Sequence, residues 1–253
     1  MRSECLVTIH QPQYLPYLGL LAKIDAADTC VSFDTADYQK NYFDNRNRVL
    51  TKSGITWLTV PVHCSLKTPI RDTKIAGRTW VRKHLQTLRQ AYGKAPFFEP
   101  YFSEFSSLLN SREFLFISDL AEATVGWLLN SFGSATSLAK ASELGEEGNK
   151  NPKERLMELV HRSGGRGYLA GPSWRNYLTQ SDVADFAKAG IAFYESEILE
   201  VRYAGCNGFH PNLSAVDLLF SCGKAGIDVI RNSIMVRKVS CEPAPFGDLA
   251  SRR

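Results

Sequence analysis

Two short apolar runs rich in β-branched residues, 5–9 (CLVTI) and 29–33 (TCVSF), flank a stretch with apolar residues at helical spacing: Leu18, Leu21, Ile24 and Ala27. This feature constrains the fold most. Two strands joined through a helix run parallel, because the crossover carries the chain back to the edge where the first strand began. A parallel sheet must then be covered by helices on both faces. Pro16 suits the first turn of the helix, since a first-turn N–H has no intrahelical partner to lose.

The alternation continues. Residues 57–62 (WLTVPV) read as a strand with Pro61 near its end, and 70–75 as a short edge strand. In 79–92, Val81, Leu85, Leu88 and Tyr92 make an apolar stripe, and Gly93 follows. Residues 96–109 and 118–132 read as further helices, 138–141 as a strand. Asn151, Pro152 and Glu154 have the types expected at N-cap, N1 and N3 of a helix running to His161. Strands at 167–171 and 191–194 then alternate with helices at 181–189 and 213–220. The expected fold is α/β and Rossmann-like: a mainly parallel sheet flanked by helices, with an inserted basic strand-helix segment. One domain spans 1–240, the insertion covers 39–135 between two sheet halves, and 241–253 form a flexible tail.

No run of 18 apolar residues occurs, so no membrane span is expected. The first apolar run is too short for a signal peptide, and a cytoplasmic enzyme is expected. The six cysteines are scattered without a CxxC pair, so neither a zinc site nor any other metal site is expected. The net charge of +4 hides an asymmetry. Residues 39–94 hold twelve Lys and Arg against two acids, whereas 99–200 hold nine bases against fifteen acids. The basic segment points to an anionic partner: phosphates of a nucleotide or carrier, or an acidic protein. Nucleic acid is not expected, because the basic residues are interleaved with strand and core residues.

Ligands of open α/β sheets bind beyond the carboxyl ends of the strands. His10 and Gln11 follow the first strand there, Asp34, Asp37 and Tyr38 the second, Ser173 and Arg175 a later one. A histidine can take a proton from an attacking amine or hydroxyl, and Pro12 and Pro16 stiffen the loop around His10. It could equally cap the helix or satisfy a buried carbonyl. Arg46 and Arg48 would share a face if extended, able to fork onto phosphate; an exposed turn is the plain alternative. Arg82, Lys83 and His84 are assigned to the charged face of the 79–92 helix, with Trp80 and His84 as i,i+4 neighbours. The 145–152 loop enters a helix N-terminus but lacks P-loop spacing. Asp217 lies among apolar residues, where a carboxylate is costly unless paired, and could bind an arginine or orient a histidine. Cys222 could be a nucleophile beside His10, or a structural thiol.

Several pieces together resemble the WbqC-like family. They are His10-Gln11-Pro12 with Tyr14, Pro16, Gly19 and Lys23; Asn45-Arg46-Asn47; residues 57–62; Trp80 with Lys83, His84, Tyr92 and Pro96; residues 142–145; Tyr168-Leu169 with Gly171; and Pro211 with Leu213, Ser214, Asp217, Leu218, Leu219, Phe220 and Gly223. Tyr17 stands where tryptophan is common in the family, and Ser221 where asparagine is expected. The resemblance implies a link to O-antigen and related biosynthesis, and attachment of a glycyl or similar acyl unit to an amino group. A fainter likeness to nucleotidyltransferases and class I synthetases lacks the second histidine of HxGH, because Leu20 follows Gly19.

The expected function is an amide-forming N-acyltransferase. A phosphopantetheine arm on an acyl or peptidyl carrier protein donates to a small-molecule amine, such as an amino sugar, and no cofactor is tightly bound. The alternatives are an ATP-dependent ligase forming an acyl adenylate, and a non-catalytic nucleotide-sugar-binding module. The candidate catalytic residues are His10, His84 and Asp217, with Lys83, His84 or Asn47 steadying the oxyanion. The substrate-binding candidates are Gln11, Tyr14, Asp34, Tyr38, Asn45, Asn47, Trp80 and Ser214. Arg46, Arg48, Arg82 and Lys83 would meet phosphate or carrier.

Overall fold

The computed structural model describes residues 4–65, 67–146 and 151–240. Its centre is a six-stranded sheet of β1 (Leu6–His10), β2 (Thr29–Ser32), β7 (Ser137–Lys140), β8 (Gly167–Ala170), β9 (Ala192–Ile198) and β10 (Ile234–Lys238), ordered β10-β9-β8-β1-β2-β7. The first five run parallel, and β10 is antiparallel on β9. The chain winds outward from β1 through β2 to β7, then returns to β8 on the other side of β1 and winds outward again. This doubly wound order reverses between β1 and β8, where such sheets leave a crevice at the carboxyl ends of the strands. The fold is therefore α/β and Rossmann-like.

Alternation along β1 decides which way each side chain points. Val7 and Ile9 pack with α5 (Pro152–Arg162) and α6 (Gln180–Lys188) on one face. Leu6 packs with Ala27 and Leu169 on the other. His10, in register with Leu6, shares the face covered by α1 (Leu18–Asp25).

The long connection from β2 to β7 builds the rest of that face. It contains the hairpin β3 (Arg46–Thr51) and β4 (Gly54–Thr59), the two-residue pair β5 (Val62–His63) and β6 (Lys74–Ile75), and α2 (Thr79–Tyr92), α3 (Phe98–Ser111) and α4 (Ile117–Phe132). These helices share one core with α1, α7 (Val216–Cys222) and α8 (Gly226–Asn232). No helix among the described residues is long and apolar enough to cross a membrane.

Several sequence expectations need correction. The strand expected at 57–62 ends at Thr59, and Pro61 separates it from β5. The edge strand expected at 70–75 is confined to β6 at Lys74–Ile75, and a 3-10 turn occupies Ile70–Asp72. Pro16 precedes α1, which opens after Tyr17. The helix expected from Leu213 begins at Val216, because Asn212 takes a positive φ of 60° and Ser214 hands its N–H to Arg48 O at 2.8 Å. The tail expected at 241–253 lies outside the described residues.

Candidate functional site

The loop between β1 and α1 is fastened from three sides. Tyr14 N–H donates to Asp44 O at 3.2 Å, Leu15 N–H to Thr124 Oγ1 at 3.2 Å, and Ala215 N–H to Pro16 O at 2.9 Å. Leu15 is held at φ 48°, a conformation that costs a branched side chain on the order of 1 kcal/mol and persists only where packing over-determines it. Gly19 opens α1 against Ile198 at the end of β9. A Cβ there would come within 2.9 Å of Ile198 Cγ2 and 2.7 Å of Tyr17 Cε2, so only glycine fits.

Beyond this loop lies a cavity of about 660 Å³ at the β1/β8 reversal, lined among others by His10, Gln13, Lys23, Arg48, Gly171 and Ser173. His10 is half-buried, and its Nδ1–H donates to Gln11 O at 2.8 Å. A carbonyl can only accept, so Nε2 is left with the free lone pair. Burial and the nearby Lys23 ammonium hold the imidazole pKa down to about 3, so the ring is neutral at physiological pH. Lys23 is itself 5% exposed and donates to Ile9 O at 3.3 Å. Burial lowers its pKa to about 8.

Four other expected site residues reach this edge or its rim. Gln11 lines the cavity, as does Arg48, whose guanidinium donates to Asn212 O at 3.1 Å while Nε has no partner. Arg46 and Arg48 do share a face: they lie 4.3 and 5.6 Å from the Trp57 ring centroid. Arg46 also donates to the Asn41 and Tyr42 carbonyls. Ser173 lines the cavity, whereas Arg175 pairs with Glu195 at 2.7 Å.

The remaining candidates lie elsewhere. His84 is 4% exposed and sits within the buried stripe of α2, one turn from Trp80 and Leu88, rather than on the charged face. Tyr14 meets its Nδ1 at 3.0 Å and Thr59 O its Nε2 at 3.2 Å. Tyr14, Trp80 and His84, expected in catalysis and substrate binding, form an aromatic cluster in the core and do not line the His10 cavity. Burial lowers the His84 pKa to about 4. Asp217 is fully buried and accepts from Tyr92 OH at 2.8 Å and Tyr203 OH at 2.6 Å, in place of the expected arginine or histidine. Cys222 stands near this carboxylate, and burial and Asp217 push its thiol pKa up. It does not line the His10 cavity.

Asp34 pins β2 to β7 by accepting Ser142 N–H at 3.0 Å and its hydroxyl at 2.5 Å. Asn45 bonds Val60 O at 2.7 Å, and Asn47 Oδ1 accepts Arg48 N–H at 2.9 Å. Ser214 is buried and bridges to Tyr17. Tyr38 is half-buried, with its N–H on Thr68 O at 2.9 Å. Arg82 and Lys83 line a separate groove along α2 with Arg89 and Phe102. The 145–152 loop falls partly on 147–150, outside the described residues; Glu146 within it pairs with Arg155 at 2.7 Å. Among the described residues, no three His, Cys, Asp or Glu side chains gather as metal ligands.

Residues 11–229, most of the chain and starting directly after His10, match the WbqC-like protein family. The chain belongs to that family. Uncharacterized protein Rv1507c of Mycobacterium tuberculosis is 28% identical over 227 residues, covering 89% of this chain and 97% of its own. No solved structure matches this WbqC-like chain.

Lys23 had no assigned role from sequence, although it is part of the family pattern. Its signal was a lysine amid the apolar positions of α1, next to Ala22 and Ile24, both buried.

Proposed function

We propose that this chain is an N-acyltransferase that moves an acyl unit from a carrier-protein thioester to a primary amine in the β1/β8 crevice. The observation that carries the reading is the pairing of a neutral His10, its Nε2 lone pair free, with the buried Lys23 ammonium on the wall of one cavity. The amine nitrogen attacks the thioester carbonyl, and the C–N bond forms as the carbonyl oxygen becomes an oxyanion. The attacking nitrogen turns strongly acidic as that bond forms, and His10 Nε2 accepts its proton. Lys23 faces the oxyanion. Burial is the main cause of the low His10 pKa, and the oxyanion offsets the smaller pull of Lys23, so the imidazole becomes more basic at the step that needs it. When the intermediate collapses the C–S bond breaks, and the proton passes from His10 to the departing thiolate.

The crevice rim supports a carrier as donor. Tyr42 and Phe43 line the cavity, and the adjoining hairpin presents Trp57 at 42% exposure beneath two arginines. An aromatic and basic rim complements an acidic carrier whose phosphate-bearing arm enters the crevice.

The deciding assay mixes acyl-carrier thioester with a panel of primary amines, without ATP. Amide and free carrier thiol are expected in equal amounts, and both at least about a hundredfold more slowly with His10→Gln. Amide formation that requires ATP, with amino-acid-dependent exchange of pyrophosphate into ATP, would replace this reading by the adenylate-forming one.

A further inference from the structure

His10 stands between two cavities. The large one lies beyond β1, β8 and β9. A smaller chamber of about 130 Å³ lies beyond β1, β2 and β7, and its wall includes His10, Gln13, Ser32, Glu122, Lys140 and Glu143. That volume admits several water molecules, and so a charged head on a short carbon stem.

The wall carries hydrogen-bond acceptors that the protein leaves unused. Gln13 is 3% exposed and its Oε1 has no partner; neither has Glu122 Oε1. Ser32 Oγ lies beside the Glu122 carboxylate and lowers its pKa as a weak donor. Buried oxygens of this kind are costly to leave unpaired, so Gln13 Oε1 and Glu122 Oε1 on one chamber wall, with the Ser32 hydroxyl beside them, mark a place for a donor.

The charge has the same sense. Lys140 is the cation among the lining residues, shared by Glu122 at 3.3 Å and Glu143 at 3.7 Å; Asp119, outside the lining, meets it at 2.9 Å. His10 is neutral and adds nothing. The lining therefore holds two carboxylates against one ammonium, with Lys23 behind His10 outside it, together with free acceptor oxygens.

We propose that the inner chamber is a binding subsite for a primary ammonium group, whose three N–H donors are taken by Glu122, Gln13 and Ser32. Burial raises the Glu122 pKa to about 7, as expected for a carboxylate short of a full counterion. The inference does not need the acyl-transfer reading, because the ligand class follows from the chamber wall alone.

The test is a binding titration of the full chain, ¹⁵N-labelled, with ethylammonium chloride at pH 8. Ethanol, tetramethylammonium chloride and potassium chloride are run at equal concentration. A ligand of three heavy atoms is expected to bind with a Kd of about a millimolar or weaker. Saturable shifts of the Gln13 side-chain amide with ethylammonium alone, weakened at least fivefold in Glu122→Gln, support the subsite. If Glu122→Gln fails to fold, Ser32→Ala is expected to weaken binding about threefold. Equal shifts with potassium or tetramethylammonium, no saturation, or an unchanged Kd in the folded variants would overturn it. None of these outcomes depends on turnover.

Discussion

His10 and His84 each meet a backbone carbonyl through a ring nitrogen, and burial lowers both pKa values. They differ in the second nitrogen. In His84 that nitrogen meets Tyr14 OH at 3.0 Å, inside a packed aromatic cluster. In His10 it keeps a free lone pair at the edge of an open cavity. The acids divide likewise: Asp217 has both oxygens occupied by tyrosines, whereas Glu122 keeps one oxygen unpaired beside a chamber. A polar group serves the fold when its valences are satisfied, and is available for chemistry when burial leaves one open at a cavity.

The strongest way to break this contrast is His10→Gln. It removes the proton acceptor and keeps a polar side chain of similar reach. Steady-state acyl transfer should show kcat/KM lowered by about 10² to 10⁴, the usual worth of a positioned base. Thermal unfolding should stay within about 2 °C of the parent. A large fall in melting temperature would make His10 a scaffold residue like His84.

Asp217→Ala is the mirror test. It leaves two buried tyrosine hydroxyls without an acceptor and should cost ~3 kcal/mol of stability by denaturant unfolding. The rate per folded molecule should be unchanged below the transition. Lost rate at unchanged stability would return Asp217 to the catalytic set.

The two sides of this comparison were unequally legible in the sequence. α2 occupies Thr79–Tyr92 as its periodicity predicts, and Asn151 caps α5 by accepting Glu154 N–H at 3.0 Å. Both are local patterns. The strand Arg46–Thr51 was not, because arginine and asparagine have little strand preference and its pairing with β4 decides the matter. The same divide runs through the site. His10 was legible because it ends the first strand of a parallel sheet. Lys23 was not, because a helical lysine ordinarily reaches solvent and only the sheet beneath α1 buries this one. Asp217 read as buried, but Tyr92 lies 125 residues away and no spacing announces it.

Lys23→Arg sharpens the crevice side. Lys23 must be charged to face an oxyanion, and its pKa stands near 8. With an acceptor amine that is already neutral across the range, kcat/KM should be level below about pH 7. Above about pH 8 it should fall roughly tenfold per pH unit, as a single deprotonation requires. The arginine variant stays protonated and should lack that alkaline limb. An identical limb in both would show that Lys23 contributes no charge to the reaction.

The smallest effect separates the two ends of the basic segment. Arg48 lines the crevice, while Arg82 and Lys83 line a different groove on the outer side of α2. Arg48→Ala should raise the KM for the carrier-bound donor about three- to tenfold, with little change in kcat, and reduce the salt dependence of KM, because one phosphate contact is lost. Arg82→Ala with Lys83→Ala should leave both constants within about twofold, since exposed charges away from a binding surface contribute little. If instead the pair on α2 governs KM, the carrier docks along that helix, and its arm must reach His10 from the opposite side of the hairpin.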